Sequence, residues 1–135
     1  MRIVEPKTPE EKEKYFHLRW EVLRKPWGWE RGSELTDDED KCTHAMIMNE
    51  NNEALAVCRL QMNTAEEAQL RFMGVREDMQ GKGLGKMIIA YLEDIARKKN
   101  AKYIILQARE NALEFYKSQH YSIVERSHRS EEHNV

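Results

Sequence analysis

Apolar and polar positions change period several times along the chain, and each change marks an element. Residues 1–5, Met1-Arg2-Ile3-Val4-Glu5, predict a short strand closed by Pro6. Thr8-Pro9-Glu10-Glu11 reads as a helix start, with Thr8 as N-cap, Pro9 at the first helical position and Glu11 completing a capping box. Tyr15, Leu18 and Val22, with Trp20, supply the apolar positions out to about Arg24, and Pro26 ends the helix. Residues 25–43 carry no period. Three strands follow as a meander at roughly 43–49, 54–62 and 69–76, joined by turns at Asn49-Glu50-Asn51-Asn52 and Thr64-Ala65-Glu66-Glu67. From Lys86 the period becomes helical, with Ile88, Tyr91, Leu92 and Ile95 on one stripe. This helix ends near Lys99-Asn100, where Arg97, Lys98 and Lys99 suit the negative end of its dipole. Tyr103-Ile104-Ile105-Leu106 is continuously apolar, as for a central strand buried on both faces. Its position after a helix implies a β-α-β crossover and a parallel pairing with the strand at 69–76. Residues 111–119 predict a short helix with Leu113, Phe115 and Tyr116 among its apolar positions, and Tyr121-Ser122-Ile123-Val124 a last strand before a polar tail.

Composition narrows the class. The 135 residues suit one domain spanning 1–135, able to bury roughly two-thirds of its unfolded surface. A formal net charge of −2 with no basic face argues against nucleic acid as partner. No apolar run suggests a leader or a membrane span, so a cytoplasmic protein is expected. Cys42 and Cys58 lack metal-ligand spacing and read as reduced thiols; no metal is expected. The acidic run Asp37-Asp38-Glu39-Asp40 reads as a solvated surface, with cation binding as the alternative. Trp27 and Trp29 either pack over the first helix or wall an acceptor site.

The chemistry concentrates at Gln80-Gly81-Lys82-Gly83-Leu84-Gly85-Lys86, between a strand and a helix. Glycines allow the backbone to turn sharply and to approach a ligand, and the amides of a helix's first turn lack intrahelical partners. With the macrodipole, such a turn attracts a phosphate or pyrophosphate. A dinucleotide fingerprint counted from Gly81 would need glycine where Lys86 stands. A P-loop would need glycine at Gln80 and a hydroxyl residue at Met87. Gln-x-x-Gly-x-Gly does fit, and it resembles the acyl-coenzyme A pyrophosphate loop of the GNAT superfamily of N-acetyltransferases.

The order of elements is similar to that fold over essentially the whole chain. Arg71-Phe72-Met73-Gly74-Val75 looks like the family's fourth strand, and the run from Leu106 through Asn111 to Tyr116 like its fifth strand and tyrosine-bearing helix. Leu18-Arg19 to Pro26-Trp27-Gly28, followed by His44, resembles a bacterial subgroup. The resemblance implies an α+β fold with a mixed sheet of about six to seven strands, helices on both faces and splayed fourth and fifth strands. It also implies acetyl-CoA as acyl donor and a small-molecule amine as acceptor. Backbone groups of Met73 and Val75 would meet the acetyl and pantetheine amides, with Asn111 also on the cofactor. Gln80, Gly81, Lys82, Gly83, Gly85 and Lys86 would surround the pyrophosphate. Val75 N–H would face the oxyanion, and Tyr116 would protonate the departing sulfur. A phenol with a pKa of about 10 still holds its proton when a thiolate of pKa about 8.5 forms.

Glu34 and His44 are candidates for the base and Trp27 for acceptor contacts, while Arg109 suits a substrate carboxylate, a CoA phosphate or a structural ion pair. The chain departs from the family at Arg109, where many members have asparagine, and at His120, where glycine usually precedes the aromatic. It also ends early, at His133-Asn134-Val135; a truncated last strand would leave an edge for a second copy, giving a homodimer. A catalytically silent acyl-CoA-binding module is the alternative function.

Overall fold

The computed structural model describes residues 1–106. Among them, five strands form one sheet in sequence order: β1 (Arg2–Val4), β2 (Thr43–Met48), β3 (Ala54–Met62), β4 (Glu67–Val75) and β5 (Tyr103–Leu106). The first four pair antiparallel and β5 lies parallel to β4, as the crossover through a helix requires. The six to seven strands expected for the whole chain compare with five among the described residues. The strand expected at 121–124 and the helix at 111–119 lie outside them. Pairing of β4 with β5 runs from Glu67↔Tyr103 to Leu70↔Leu106, and β4 continues to Val75 past the last described pair.

Two helices cover the sheet from opposite sides. In α1 (Pro9–Leu23), the Thr8 hydroxyl accepts from Glu11 N at 3.1 Å and the Glu11 carboxylate accepts from Thr8 N at 3.1 Å, so the capping box forms as read. Its buried positions are Tyr15, Leu18, Arg19 and Leu23; the inner stripe therefore includes an arginine, while Val22 is half-buried. Tyr15 and Leu18 pack on Met46, Met48 and Val57. On the other side, α2 (Leu84–Lys98) sets Leu84, Ile88, Ile89, Leu92 and Ala96 against Ala45, Ile47, Ala56, Cys58, Leu60, Ala68 and Leu70. Alternation along each strand divides these sets between the faces. β5 corrects one expectation. Ile104 and Leu106 pack toward α2, but Tyr103 and Ile105 are exposed at 50% and 38%, because α1 lies over β3 and β4 and not over β5.

β4 breaks its own alternation. The register with β3 shifts between Val57↔Gly74 and Arg59↔Arg71, so an extra residue sits in β4, and Phe72 there has φ +55. Before the bulge, Ala68 and Leu70 face α2; beyond it, Met73 and Val75 do. Phe72 and Gly74 face α1, so the bulge reverses which positions meet which helix. Among the described residues no helix is long and apolar enough to cross a membrane.

Gly74 allows α1 to lie close on β4. A Cβ there would stand 3.3 Å from Val22 Cγ1 and 3.6 Å from Leu23 Cγ. Gly74→Val is expected to destabilise the fold by about 1–3 kcal/mol through overpacking, read from urea midpoints at constant m. An unchanged midpoint would mean that α1 can shift off β4 freely.

Candidate active site

The glycine-rich turn lies between the C-terminal end of β4 and α2. After a 3-10 turn at Glu77–Met79, Gly81 takes φ +78 and Gly83, the N-cap of α2, φ +85. An L-residue is strained in this region, so the glycines are set by backbone shape. A Cβ at either would meet nothing within 4 Å, leaving open space in front of the turn. The first helical amide bond is Met87 N to Gly83 O at 3.1 Å. Among the described residues, no backbone hydrogen bond is donated by Gly81, Lys82, Gly83, Leu84, Gly85 or Lys86. The amides are therefore a run of donors at the positive end of a 15-residue helix. Lys82 and Lys86 are exposed beside it. The chemistry of this donor set suits a diphosphate.

The strand feeding the turn has one edge turned toward the same side. Arg76 N donates to Leu55 O at 2.8 Å across β3, so strand alternation directs the Val75 N–H to the opposite edge, where β5 pairs lower down. The Val75 carbonyl on that edge accepts from Gln80 Nε2 at 3.2 Å, which ties the end of β4 to the start of the turn. Met73 is half-buried two residues earlier. Tyr116, Asn111 and Arg109 lie outside the described residues.

The α1 face of the sheet carries the other sequence candidates. His44 on β2 has both ring nitrogens engaged. Nε2–H donates to the Glu39 carbonyl at 2.7 Å, leaving Nδ1 to accept from the Tyr15 hydroxyl at 2.7 Å. Burial, assisted by the nearby charge of Arg19, lowers its pKa below the ordinary value of 6.5. Tyr15 is pushed well above the usual phenol range by burial, which outweighs the opposing charge of Arg19. Burial likewise pushes Cys58 up to about 12. Glu34 is buried: its carboxylate accepts from Gly32 N at 2.7 Å and lies 3.6 Å from Arg31 Nε. Trp27 is 51% exposed, whereas Trp29 carries the Arg24 guanidinium 5.3 Å from its ring and gives its carbonyl to Trp20 Nε1 at 2.7 Å. Trp29 therefore packs, while Trp27 faces outward.

Sequence reasoning missed the charged layer beneath the loop. Arg19 and Arg59 are fully buried, and Glu39 reaches both: 2.7 Å to Arg19 Nη1 and 3.1 Å to Arg59 Nη1. Asp38 lies 3.5 Å from Arg59. The acidic run is therefore not simply a solvated surface; Glu39 is the counter-charge of two interior cations. Burial alone would raise its pKa, but the hydrogen bond and charge of Arg19 bring it below 4.5. The available signal was Arg59 in the middle of the apolar strand Ala54–Met62, since a buried guanidinium needs a partner. Among the described residues no group of three or more His, Cys, Asp or Glu could hold a metal ion.

A bulged fourth strand, an amide-lined turn and a helix aimed at the end of a parallel crossover are the features of one class of protein. The family model described as Acetyltransferase (GNAT) family matches residues 12–121. The chain belongs to that family, and it is an acyltransferase. Solved structures share the fold. Glucosamine-6-phosphate N-acetyltransferase from Arabidopsis thaliana superposes with a TM-score of 0.72 at 15% identity, covering 95% of both chains. An acetyltransferase of Trypanosoma brucei gives 0.73 at 21% identity, also covering 95% of both. An aminoglycoside 6'-N-acetyltransferase complexed with coenzyme A gives 0.71 at 17% identity, over 93% of this chain and 87% of that one.

The His44 environment generates a pH dependence. Because its folded pKa is depressed below 6.5, the unfolded chain binds more protons just below that pH, and stability falls as pH falls through this window. The contribution of Glu39, also depressed, is lost only below 4.5. His44→Gln is expected to flatten the stability profile just below pH 6.5 and to leave the acid loss below 4.5, measured by urea denaturation across pH. An unchanged slope in the upper window would assign it to another group.

Proposed function

We propose that this enzyme transfers the acetyl group of acetyl-CoA to a primary amine of a small molecule, by direct attack of the amine on the thioester. One observation carries the reading: the undonated amides from Gly81 to Lys86 open, at the α2 N-terminus, onto the edge of β4 to which Val75 N–H points. Family membership supports an acyl-CoA donor there, and the coenzyme A complex of the aminoglycoside acetyltransferase of the same fold agrees with it.

The residues then divide the work. The amides of Gly81 through Gly85, with Gln80 fixing the turn, hold the diphosphate, and Lys82 and Lys86 add charge beside it. Main-chain groups of Met73 and Val75 pair with the pantetheine arm, with Asn111 also on the cofactor. Val75 N–H is aimed at the carbonyl oxygen where negative charge develops during attack. As the carbon–nitrogen bond forms and the carbon–sulfur bond breaks, Tyr116 gives its hydroxyl proton to the departing sulfur. The proton lost by the amine passes to solvent, since His44 and Glu34 are both engaged by protein groups. Trp27, exposed beside α1, lines the acceptor side, where Arg109 also contributes.

Two substitutions test this. Gly83→Val places a branched side chain in the open space before the helix and strains the φ +85 backbone. Acetyl-CoA affinity should fall roughly tenfold to a hundredfold, measured by calorimetry on protein whose fold is checked by circular dichroism. Undiminished binding would move the donor site elsewhere. Tyr116→Phe should lower kcat roughly tenfold or more in a thiol-release assay while leaving acetyl-CoA affinity unchanged. If affinity fell and kcat held, the phenol would be a binding group. Donor binding with no turnover on any amine would indicate a silent acyl-CoA-binding module.

A further inference from the structure

We propose that the acceptor amine carries hydroxyl groups, as an amino sugar or another polyhydroxylated amine does, and that Gln69, Glu67 and Tyr103 bind them on the α1 face of β4 and β5. The proposal rests on the acyl-transfer reading above, which puts the reacting carbonyl beside Met73 and Val75.

A chain of side-chain hydrogen bonds sets the direction of every amide on this face. It begins in the interior, where Arg59 Nη2 donates to Gln61 Oε1. A guanidinium only donates, so the Gln61 oxygen points inward and its NH2 group outward. Gln61 Nε2 donates to Asn63 Oδ1 at 2.7 Å and approaches Gln69 Oε1 at 3.5 Å. With its oxygen so engaged, Asn63 turns its own NH2 group to Gln69 Oε1 at 2.9 Å and to Glu67 Oε2 at 2.8 Å. Tyr103 donates its hydroxyl proton to the other Glu67 oxygen at 3.0 Å. Both ends of the chain agree, since a carboxylate only accepts. Gln69 is the member left unmatched. Its oxygen takes two amides, and among the described residues its NH2 group donates to nothing.

What remains free matches a hydroxyl. Gln69 offers the protons of its NH2 group, while the Glu67 carboxylate and the Tyr103 oxygen keep lone pairs. A hydroxyl accepts from the first and donates to either of the others. An ammonium group cannot accept, so a second cation would satisfy Glu67 and leave Gln69 unmatched. Beside these groups the Tyr103 ring is 50% exposed and Ile105 38%, an apolar strip on which the C–H face of a sugar ring can lie. The position also suits the reaction. α2 packs on the opposite face of the sheet and α1 lies over β3 and β4, so among the described residues the α1 face of β5 is left open. Gln69 precedes Met73 by about 13 Å along β4 at about 3.3 Å per residue, less where the bulge takes up one residue. One sugar ring with the reach of the glutamine side chain spans that interval, which sets an amine at the thioester and hydroxyls at Gln69.

The test is thiol release from acetyl-CoA by the full chain. Two amino sugars, glucosamine and kanosamine, are compared with cyclohexylamine, which lacks hydroxyls, and with putrescine, a diamine. Gln69→Glu keeps the oxygen that Asn63 and Gln61 donate to and removes both outward protons. It should lower kcat/KM for at least one amino sugar about tenfold, through KM, and leave cyclohexylamine unchanged. The change in their ratio cancels the intrinsic reactivity of each amine. Tyr103→Ala, at a half-exposed ring, should shift the ratio in the same direction. Both variants are checked for fold by circular dichroism. An unchanged ratio in both, an equal loss on amino sugar and cyclohexylamine, or a preference for putrescine that Gln69→Glu strengthens would overturn the proposal.

If no amine is turned over, saturation transfer from the protein to glucosamine is measured with coenzyme A saturating. Transfer that is lost in either variant sustains the hydroxyl site and sinks the acyl-transfer reading alone. Transfer that neither variant weakens, or no transfer, sinks the hydroxyl site as well.

Discussion

At Phe72 the backbone of β4 takes φ +55, a left-handed conformation that a residue with a bulky side chain rarely adopts. Such a residue costs about 1–3 kcal/mol and persists only where its surroundings over-determine it. Here they do. The ring is 1% exposed, and four guanidinium groups lie within 5.3 Å of its centroid. At roughly 1 kcal/mol for each cation–π contact, a few of these offset the strain. Ordinary antiparallel register resumes on both sides, at Leu60↔Leu70 and at Val57↔Gly74. The extra residue reverses the facing of everything after Arg71, which turns Phe72 toward α1 beside Arg71, and Met73 and Val75 toward α2. Without it, Phe72 would face α2 and the guanidinium groups would lose their common ring.

The same guanidinium layer fixes the irregular segment from 25 to 43. Side chains of α1 and of Arg24, its C-cap, donate to its backbone: Arg19 to Glu34 O at 3.0 Å, Arg24 to Ser33 O at 3.2 Å and Trp20 to Trp29 O at 2.7 Å. Glu39 then connects that segment to both the helix and the sheet through Arg19 and Arg59, and it also accepts from Thr36 N at 2.9 Å. Replacing an entire buried ion cluster by apolar groups can be neutral, but removing one member typically costs about 3–5 kcal/mol because the others stay buried and charged. His44 and Tyr15 belong to this scaffold, and their hydrogen bonds to Glu39 O and Arg19 explain why two residue types that often carry proton chemistry are held here as structural groups.

Most of the fold was legible in the sequence because local rules and tertiary packing agree. The Thr8-to-Glu11 capping box, the meander of β2 to β4, the helix after Gly83 and the parallel return of β5 each follow from period, punctuation or handedness. What the pattern could not disclose was where apolar order is broken on purpose. The β4 bulge changes side-chain parity without changing composition, so Arg71-Phe72-Met73 reads as simple alternation. Arg19 occupies the same helical stripe as Tyr15, Leu18 and Val22, but its charge suggests solvent until Glu39, twenty residues later, is folded over it. Tyr103 and Ile105 illustrate the converse, an apolar run that is buried on one face only because α1 covers β3 and β4. Identifying the loop as an acyl-CoA site needed a family pattern, since glycines before a helix define an anion site without saying which anion.

A protein with a formal net charge of −2 has no general attraction for anions, so any positive site must be built locally. This chain builds two by different physics. At the α2 N-terminus the donors are main-chain amides, rigid and carrying only partial charge, suited to a diphosphate that lies against the backbone. On the α1 face the charge is full and carried by side chains, stabilised in the interior by Glu39 and by the Phe72 ring. The two sites flank the segment from Met73 to Gln80, with the bulge at one end and the Gln80 contact to Val75 O at the other. The glycines allow close backbone approach at one end of that segment, and the arginines bring full charge into the interior at the other.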